Sequence, residues 1–443
     1  MMKLPLSSLW LLLLALPLPA ASGLLTTSAE PAFSAPPAEP MRADDSGLRE
    51  AILRAFARHP RIAEAAAQIQ VSRARLDEAK SGWYPQIALQ GSAGHADSTR
   101  SDGAGGVTLS QLLYDFGKTR GRVDEQERLT EANRFALYDT LTRVAQETLL
   151  AWLDAKRQQT LAQASREQLS GLEDIARLAT LRAEAGLNSD SDKLQAQTRI
   201  DGMRASEAQY QALEQAALAR LSVLTGEANP QLGPLPPLFA REPLKRIDYE
   251  STSAVRSARE KQRASDERVR QAQADRWPTL KAEAGRTRYI NNGDGWWDDS
   301  VQLRVNAPLY QGGAINARVQ AAEGEREAAR AEVEQAQRLI DQSAANANAA
   351  LTGAKARLRA GERQYQSAVR TREVYRNEYQ LGKRSLNDLL SSEQDLFQAQ
   401  ITREEARFDA AVASVNYAAA ADTLLDWFDI DRSAQSGDTL PSL

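Results

Sequence analysis

Two long stretches of this chain combine helix-forming residues with a complete lack of proline. Proline is absent from residues 86–229 and again from residues 309–440. Proline inside a helix costs about 3 kcal/mol, and these stretches are rich in Ala, Gln, Glu, Arg and Leu, which favour helix. Residues 117–186 alone predict one helix of about 100 Å, at about 1.5 Å per residue.

Within that helix, apolar and small residues recur at the alternating four- and three-residue spacing of a coiled-coil seam. The seam positions are Leu137, Leu141, Val144, Thr148, Ala151 and Ala155. The seam is narrow and contains small residues. We therefore expect the polar faces around it to be solvated or to meet other helices through polar contacts.

Four short segments change from the helical period to strict alternation of apolar and polar positions. A period of two predicts strands, here at about residues 84–93, 105–114, 278–289 and 299–310. Each segment has about ten residues, the length with which a tilted strand crosses a bilayer. The alternative is a water-soluble hairpin with one face on a core.

Side chains around these segments favour the membrane interpretation. Charged residues on one face, such as Lys281, Glu283 and Arg304, suit a water-filled lumen. Aromatic residues at the strand ends are typical of a girdle at the lipid boundary: Trp83, Tyr84, Tyr114, Trp277, Trp296, Trp297 and Tyr310. Four strands cannot close a barrel, and open edges are not tolerated in lipid. The barrel must therefore be shared between copies of the chain, and three copies would supply twelve strands.

The chain is also a duplication of one unit. At a constant shift of 196 residues, Tyr114 aligns with Tyr310, and the same shift aligns Gly117 with Gly313, Gly186 with Gly382, Ser189 with Ser385 and Asp192 with Asp388. Each unit predicts a helix, two strands, a long helix, a turn and a returning helix. The units span residues 47–227 and 248–427, and the proline-rich residues 228–247 link them. We expect residues 428–443 to form a flexible tail.

The first residues predict export. Lys3 precedes an apolar run at residues 9–16. Prolines end this run, and small residues follow at positions 20–22. This order is typical of a secretory signal peptide, here residues 1–22, and the apolar run is too short for a membrane anchor. Residues 23–46 are rich in Ala, Pro, Ser and Glu and are predicted to be disordered.

Composition excludes several classes of function. The 443 residues include 55 basic and 59 acidic side chains, a net charge of −4 that disfavours nucleic-acid binding. Mean hydropathy is −0.50, and no apolar run reaches the roughly 18 residues of a membrane-spanning helix. Strands that meet lipid on alternate residues are compatible with these values. The absence of cysteine excludes disulfides, thiolate metal sites and a cysteine-linked lipid anchor.

Three motifs that suggest other chemistry do not satisfy its spacing. Residues 117–119, Gly-Lys-Thr, resemble the end of a phosphate-binding loop, but Leu112 stands where that loop needs glycine, so we predict a strand-to-helix turn. A calcium site of the EF-hand type does not fit the spacing of Asp294, Asp298 and Asp299, which we assign to an outer loop. His59 and His95 have no other potential metal ligand at a suitable spacing in the sequence. We therefore expect both histidines to have structural roles, and we expect no cofactor.

Together, in order and duplicated, these features resemble the TolC family of outer-membrane efflux and secretion channels, over about residues 47–427. The matching motifs are His-Pro at 59–60, Tyr-Pro at 84–85, Trp-Pro at 277–278, the strand-closing segments 113–117 and 308–313, and the helical turns 185–192 and 381–388. The resemblance implies a mostly α fold with a small membrane β portion. It implies a homotrimer with a twelve-stranded barrel in lipid of the outer membrane, continued by a helical barrel of about 100 Å across the periplasm.

The resemblance also implies partners and a gate. A periplasmic adaptor (membrane fusion) protein and an inner-membrane pump, ABC or proton-driven, would meet the helical tip, and transport through the channel would be passive. The tip turns centre on Gly186 and Gly382. By position from these glycines, the gate residues are Tyr379, Arg384, Ser191 and Asp192. A charge-assisted pair of Arg384 with Asp192 would help to hold the tip closed.

An acidic ring at the pore constriction is implied by Asp388, which three copies would place around one axis. Some family members have a second Asp three residues further on, where this chain has Ser391, so a second acidic ring is in question. The alternative is that Asp192 and Asp388 only cap the returning helices.

Within this family, we favour type I protein secretion over multidrug efflux, because many efflux members carry an N-terminal lipid-bearing cysteine. Two other classes fit less well. A periplasmic adaptor has long helical hairpins but lacks two tandem units that each contain a strand pair. An enzyme would need a nucleophile–base set or a metal cluster, and the sequence shows neither.

Overall fold

The computed structural model describes residues 43–94, 103–186, 189–240, 247–291 and 294–433. The predicted signal peptide and most of the predicted disordered segment lie outside these residues. The helices are α1 (Ala43–Arg58), α2 (Pro60–Ser81), α3 (Lys118–Glu184), α4 (Asp190–Thr225), α5 (Ser253–Ala274), α6 (Ala314–Gln380) and α7 (Leu386–Ala420). The strands are β1 (Gln86–Ser92), β2 (Gly103–Tyr114), β3 (Thr279–Asn291) and β4 (Asp294–Asn306). Helix α1 thus begins inside the segment predicted to be disordered, residues 23–46.

The duplication is visible in the helices themselves. Helices α3 and α6 each contain 67 residues, and each begins directly after a glycine in the left-handed region, Gly117 with φ of 91° and Gly313 with φ of 85°. A side chain at either position would be strained, which explains glycine in both units. The helix starts, Lys118 and Ala314, keep the 196-residue shift found in the sequence.

The predicted seam of α3 is buried along its whole length. All six seam side chains are at most 2% exposed. All of them except Thr148 belong to the largest apolar cluster of the described residues, together with Ile52 and Phe56 of α1 and Phe408 of α7. The seam therefore contacts several helices at once, which its small residues allow by letting backbones approach closely.

The strands form one antiparallel sheet in the order β1-β2-β3-β4. Its central pair, β2 and β3, joins the two units, from Gly103 opposite Ile290 to Tyr114 opposite Leu280. The outer edges of β1 and β4 have no partner strand among the described residues. No described helix is both long and apolar enough to span a membrane.

The fourth strand differs from the prediction of residues 299–310. It begins at Asp294, where it pairs with Asn291, and it ends at Asn306. Pro308 cannot donate a ladder hydrogen bond. The acidic residues assigned to an outer loop lie in this strand instead. Asp298 and Asp299 are adjacent in the strand and point to opposite faces, and no group of three potential metal-ligating His, Cys, Asp or Glu occurs in the described part of the chain.

The C-terminal segment also differs from the predicted flexible tail. Phe428 is fully buried and Ile430 nearly so, because both enter the large apolar cluster; residues 434–443 lie outside the description. The proline-rich linker contributes to the same region. Phe239 of the linker is buried with its ring centroid 6.5 Å from that of Trp152.

One carboxylate connects both units and the C-terminal segment. Asp422 follows α7 and accepts hydrogen bonds from Thr142 Oγ1 at 2.8 Å and from Ser253 N and Oγ at 2.7 Å each. Arg432 Nη1 forms an ion pair with it at 2.8 Å, and the two side chains are only 10% and 18% exposed. We call this set the Asp422 network. Thr142 belongs to α3 and Ser253 begins α5, so the network holds the first unit, the second unit and the chain end together.

Candidate gate and channel surfaces

The sheet has two chemically different faces. The apolar face exposes aliphatic side chains from three of the four strands, β1, β2 and β4: Ile87, Leu89, Val107, Leu109, Val301, Leu303 and Val305. The polar face carries Gln86, Ser110, Glu283 and Gln302 in one row of the register. Along β2, residues of the apolar face are more exposed than those of the polar face, as expected if the polar face is concave. This arrangement suits a barrel with lipid outside and water inside.

Charges on the polar face are paired across strands. Glu283 on β3 accepts a hydrogen bond from Gln302 at 3.1 Å and forms an ion pair with Arg304 at 2.9 Å, both on β4. Lys281 lies opposite Arg304. These paired charges on the polar face suit a hydrated lumen.

The register separates two tryptophans that the sequence assigned to one girdle. Trp297 shares the apolar face with Val301, whereas Trp296 lies on the polar face and stacks on Tyr289, with ring centroids 5.4 Å apart. At the other end of the sheet, Trp277 is exposed and stacks on Phe116 at 5.5 Å.

The Gly-Lys-Thr segment forms the predicted strand-to-helix turn. Lys118 Nζ donates to the carbonyl oxygen of Trp277 at 2.6 Å and to Thr279 Oγ1 at 3.0 Å. The Asp115 carboxylate accepts from the backbone N–H groups of Gly117 at 3.1 Å and Thr119 at 2.7 Å. The lysine and the helix start are thus occupied by the protein's own groups.

His59 has the structural role expected from the sequence. It is the N-cap of α2, and its Nδ1 accepts from the backbone N–H of Arg61 at 3.2 Å. Its Nε2 lies 4.0 Å from the carboxylate of Glu147. His95 lies outside the described residues.

The two hairpin turns meet over a shared apolar cluster. Gly186 and Gly382 both adopt left-handed backbone, with φ of 73° and 72°. Ser189 and Ser385 directly precede α4 and α7, and their side chains cap these helices. Beneath the turns, both hairpins contribute to one apolar cluster: Leu172, Ile175, Ala179, Ala196, Ile200, Tyr379, Leu386, Leu389 and Leu390. We call these residues and turns the tip.

Tyr379 is held inside the tip by an arginine that sequence reasoning missed. Tyr379 is 2% exposed, and the guanidinium of Arg182 lies 5.0 Å from its ring centroid. Arg182 Nη1 also donates to the carbonyl oxygens of Tyr379 and Gln380, each at 3.0 Å. It therefore satisfies carbonyls that the end of α6 leaves without helical partners. The sequence did mark this position as different in the two units, because the 196-residue shift aligns Arg182 with the oppositely charged Glu378.

Arg384 is engaged by residues of its own unit. Its Nε donates to Glu378 at 2.7 Å, its guanidinium lies 3.8 Å from the ring centroid of Tyr375, and Asp388 lies 4.0 Å away. The hydrogen bond to Glu378 is the main reason that the pKa of Arg384 is raised. Within the described part of one chain, Arg384 makes ion pairs with Glu378 and Asp388 but not with Asp192. The pair with Asp192 stays a prediction.

The remaining predicted site residues lie at the starts of the returning helices. The side chain of Ser191 donates to Ser189 Oγ at 3.0 Å, and Asp192 occupies the first turn of α4. Asp388 accepts from Ser385 Oγ at 2.8 Å while its own N–H donates back at 3.2 Å. Asp388 thus orients the hydroxyl of the capping residue Ser385, and the N-caps themselves are serines. Ser391 lies half-buried on α7, one helical turn beyond Asp388.

Glu393 is a buried carboxylate close to the tip. Its side chain is 6% exposed and lies 3.9 Å from Arg372 Nε. Burial raises the pKa of Glu393, and Arg372 opposes this only in part. Since the pKa is higher in the folded state, this group adds stability below its ordinary pKa of about 4.5 and loses it as pH rises through the raised value. We expect Glu393→Gln to raise the unfolding temperature at pH 7.5 more than at pH 5, measured by thermal unfolding.

The control is Glu373→Gln, which neutralises an exposed glutamate of α6. It should leave the pH dependence of the unfolding temperature unchanged. An equal effect of Glu393→Gln at both pH values would contradict the assignment.

Comparison with known proteins places this architecture in a family. The family model described as "Outer membrane efflux protein" matches residues 51–227 and 250–421. Protein CyaE of Bordetella pertussis is 29% identical over 76% of this chain and 73% of its own length. Alkaline protease secretion protein AprF of Pseudomonas aeruginosa is 25% identical over 69% of this chain and 67% of its own length.

A solved structure of CusC has the same fold, with a TM-score of 0.75 at 18% identity over 85% of this chain and 92% of its own. The predicted mostly helical fold with four antiparallel strands is therefore confirmed. The chain belongs to the outer membrane efflux protein family, the TolC family, and is a non-enzymatic channel of the bacterial outer membrane whose helices extend into the periplasm.

Proposed function

We propose that this chain is the outer-membrane exit duct of a type I protein secretion system. The observation that carries the proposal is the similarity to AprF, a relative named for protease secretion that aligns with more than two thirds of the chain. The duct itself transports passively. An ABC-type pump in the inner membrane supplies the energy, and a periplasmic adaptor protein connects pump and duct.

The assembly is a homotrimer. Membership in the family implies a trimer within a tripartite system. The free edges of β1 and β4 support the same conclusion, since unpaired backbone groups in lipid cost several kcal/mol each. Pairing β4 of one chain with β1 of the next satisfies these groups, and three sheets of four strands close a twelve-stranded barrel.

The tip acts as the gate of this duct. Tyr379 and Arg384 lie on one hairpin and Ser191 and Asp192 on the other, above an apolar cluster that both hairpins share. Contacts of Arg384 with Asp192 of a neighbouring chain hold the tip closed. Asp388 of the three chains forms an acidic ring around the axis, and this ring attracts cations. Because Ser391 is uncharged, it adds no second acidic ring.

A gene deletion tests the proposed secretion function. We expect the deletion strain to lose a secreted protein from the culture medium and to keep its wild-type sensitivity to drugs and dyes. Re-expression of the wild-type chain should restore secretion. Unchanged secretion together with increased drug sensitivity would reject the proposal.

Unchanged secretion with increased drug sensitivity would instead identify the chain as the duct of a small-molecule efflux system. This candidate is supported by the description of the matching family model, which names efflux. Membrane fractionation distinguishes both candidates from a periplasmic adaptor, because a duct runs as an outer-membrane trimer until boiled.

A further inference from the structure

A basic patch lies on the apolar face of the sheet, at the end away from the helices. We define it as Arg286, Arg288 and Trp297. The register places Arg288 opposite Trp297, and Arg286 opposite Asp299, on the same face as Val301. Both arginines are exposed. The apolar face is therefore aliphatic over most of its height and becomes cationic only near the hairpin end.

The height of the patch matches a membrane boundary. A rise of about 3.3 Å per residue and a tilt of about 40° place Arg288 about 28 Å from Trp277 along the barrel axis. Aromatic girdles in outer-membrane barrels flank an apolar band of about 25 Å. Trp277 lies at the helical, periplasmic end of the sheet, so Arg288 and Trp297 lie at the boundary of the outer leaflet.

A cation facing lipid at this height needs an anionic partner. Arg286 forms an ion pair with Asp299 at 3.3 Å and lies 4.8 Å from the ring centroid of Trp297. Arg288 lies 5.4 Å from the same ring. Within the described ranges, no carboxylate lies within 4.0 Å of the Arg288 guanidinium. Arg288 therefore keeps hydrogen-bond donors that none of the described residues accepts, at the depth where lipid phosphates occur.

The strands next to Arg288 leave space for a ligand. Arg288 pairs across the sheet with Gly105 on β2, and Gly105 pairs in turn with Gly91 on β1. Neither glycine projects a side chain, and a Cβ atom added at Gly105 would meet nothing within 4 Å. Arg288 thus has Trp297 on one side and a shallow bare recess on the other, and its guanidinium packs over Gly295 of β4 on the same lipid-facing surface.

We propose that the basic patch and this recess bind the phosphate group of a phosphorylated glycolipid in the outer leaflet, at one site in each chain. Arg288 is the principal ligand because its guanidinium donates in pairs to phosphate oxygens. Arg286 adds a second positive charge, Trp297 orients both guanidinium groups, and the recess at Gly105 and Gly91 accommodates the sugar.

The test measures lipid binding to the purified trimer in detergent by native mass spectrometry. The probes are bis-phosphorylated lipid A and the same lipid after removal of both phosphates. We expect the phosphorylated form to bind more tightly. In the double variant Arg286→Gln/Arg288→Gln, the apparent Kd of the phosphorylated form should rise about twenty-fivefold, because each arginine near a lipid surface contributes about fivefold. Asp299→Asn should lower the Kd, because it removes the carboxylate that competes with phosphate for Arg286.

The matched control is Lys281→Gln/Arg304→Gln, which removes two positive charges from the polar face and should leave the Kd unchanged. Each variant is compared only if it runs as a heat-resistant trimer. Equal binding of both lipid forms, or a wild-type Kd in the Arg286/Arg288 double variant, would overturn the proposal. Displacement of lipid A by millimolar inorganic phosphate would also overturn it, since the site would then take free phosphate.

Discussion

Asp422→Ala is expected to destabilise the folded chain by about 3–5 kcal/mol, the cost of removing one partner from a buried ion pair. The substitution leaves Arg432 with only the more distant carboxylate of Asp426, 3.7 Å away, and it removes the acceptor used by Thr142 and by Ser253. Because these donors come from both units and the chain end, we expect all three to loosen together. Urea unfolding of the purified protein measures the loss.

Two further variants separate the possible causes. Asp422 has a positive φ of 57°, which asparagine tolerates better than alanine. Asp422→Asn therefore keeps the backbone conformation and removes the charge, and it should cost less than Asp422→Ala but still more than 1 kcal/mol. The control is Asp395→Ala, an exposed position of α7, which should change stability by less than about 0.5 kcal/mol. A similar loss in the control would show that the network is not responsible.

Arg384→Ser combined with Tyr379→Phe is expected to raise the single-channel conductance in planar bilayers several-fold. The first substitution removes the contacts of Arg384 with Glu378 and Asp388, together with the proposed contact with Asp192. The second removes the hydroxyl group of Tyr379. Charge-assisted hydrogen bonds are stronger than neutral ones, so the loss of those made by Arg384 should weaken the closed tip. The double variant should thus shift the tip strongly toward its open form.

Arg177→Ser is the control for charge removal near the tip. Arg177 lies on α3 with its side chain 73% exposed, and it pairs only locally with Asp174. The single-channel conductance of the Arg177→Ser variant should equal that of the wild type. If the double variant also shows wild-type conductance as an intact trimer, Tyr379 and Arg384 do not hold the tip closed.

The long helices and the duplication were predictable because their signals are local and repeated. Gly117 and Gly313 require left-handed backbone at equivalent positions, and the long proline-free stretch that follows each of them leaves few alternatives to helix. The alternation of the strands was equally clear. The ends of the strands were less clear. Trp296 and Trp297 are adjacent aromatic residues, and the sequence does not indicate which of the two faces lipid.

Tertiary contacts account for what the sequence did not predict. Phe428 and Ile430 sit in a polar terminal segment and become ordered only because they enter the large apolar cluster. Arg182 has an ordinary helical context, and nothing nearby in the chain indicates that it reaches the carbonyl oxygens at the end of α6. The candidate gate positions came from resemblance, and the structure adds the groups that surround them.

The pairing of β2 with β3 also determines when the barrel can form. These strands meet across both intervening helices of the first unit, from Gly103 to Ile290, and contacts so distant in sequence form slowly because a long loop must close first. The first hairpin alone has an open edge and cannot stay in lipid. Insertion must therefore wait until the second unit has left the ribosome and crossed the inner membrane, so the chain spends its early life as an aqueous precursor with exposed aliphatic strands.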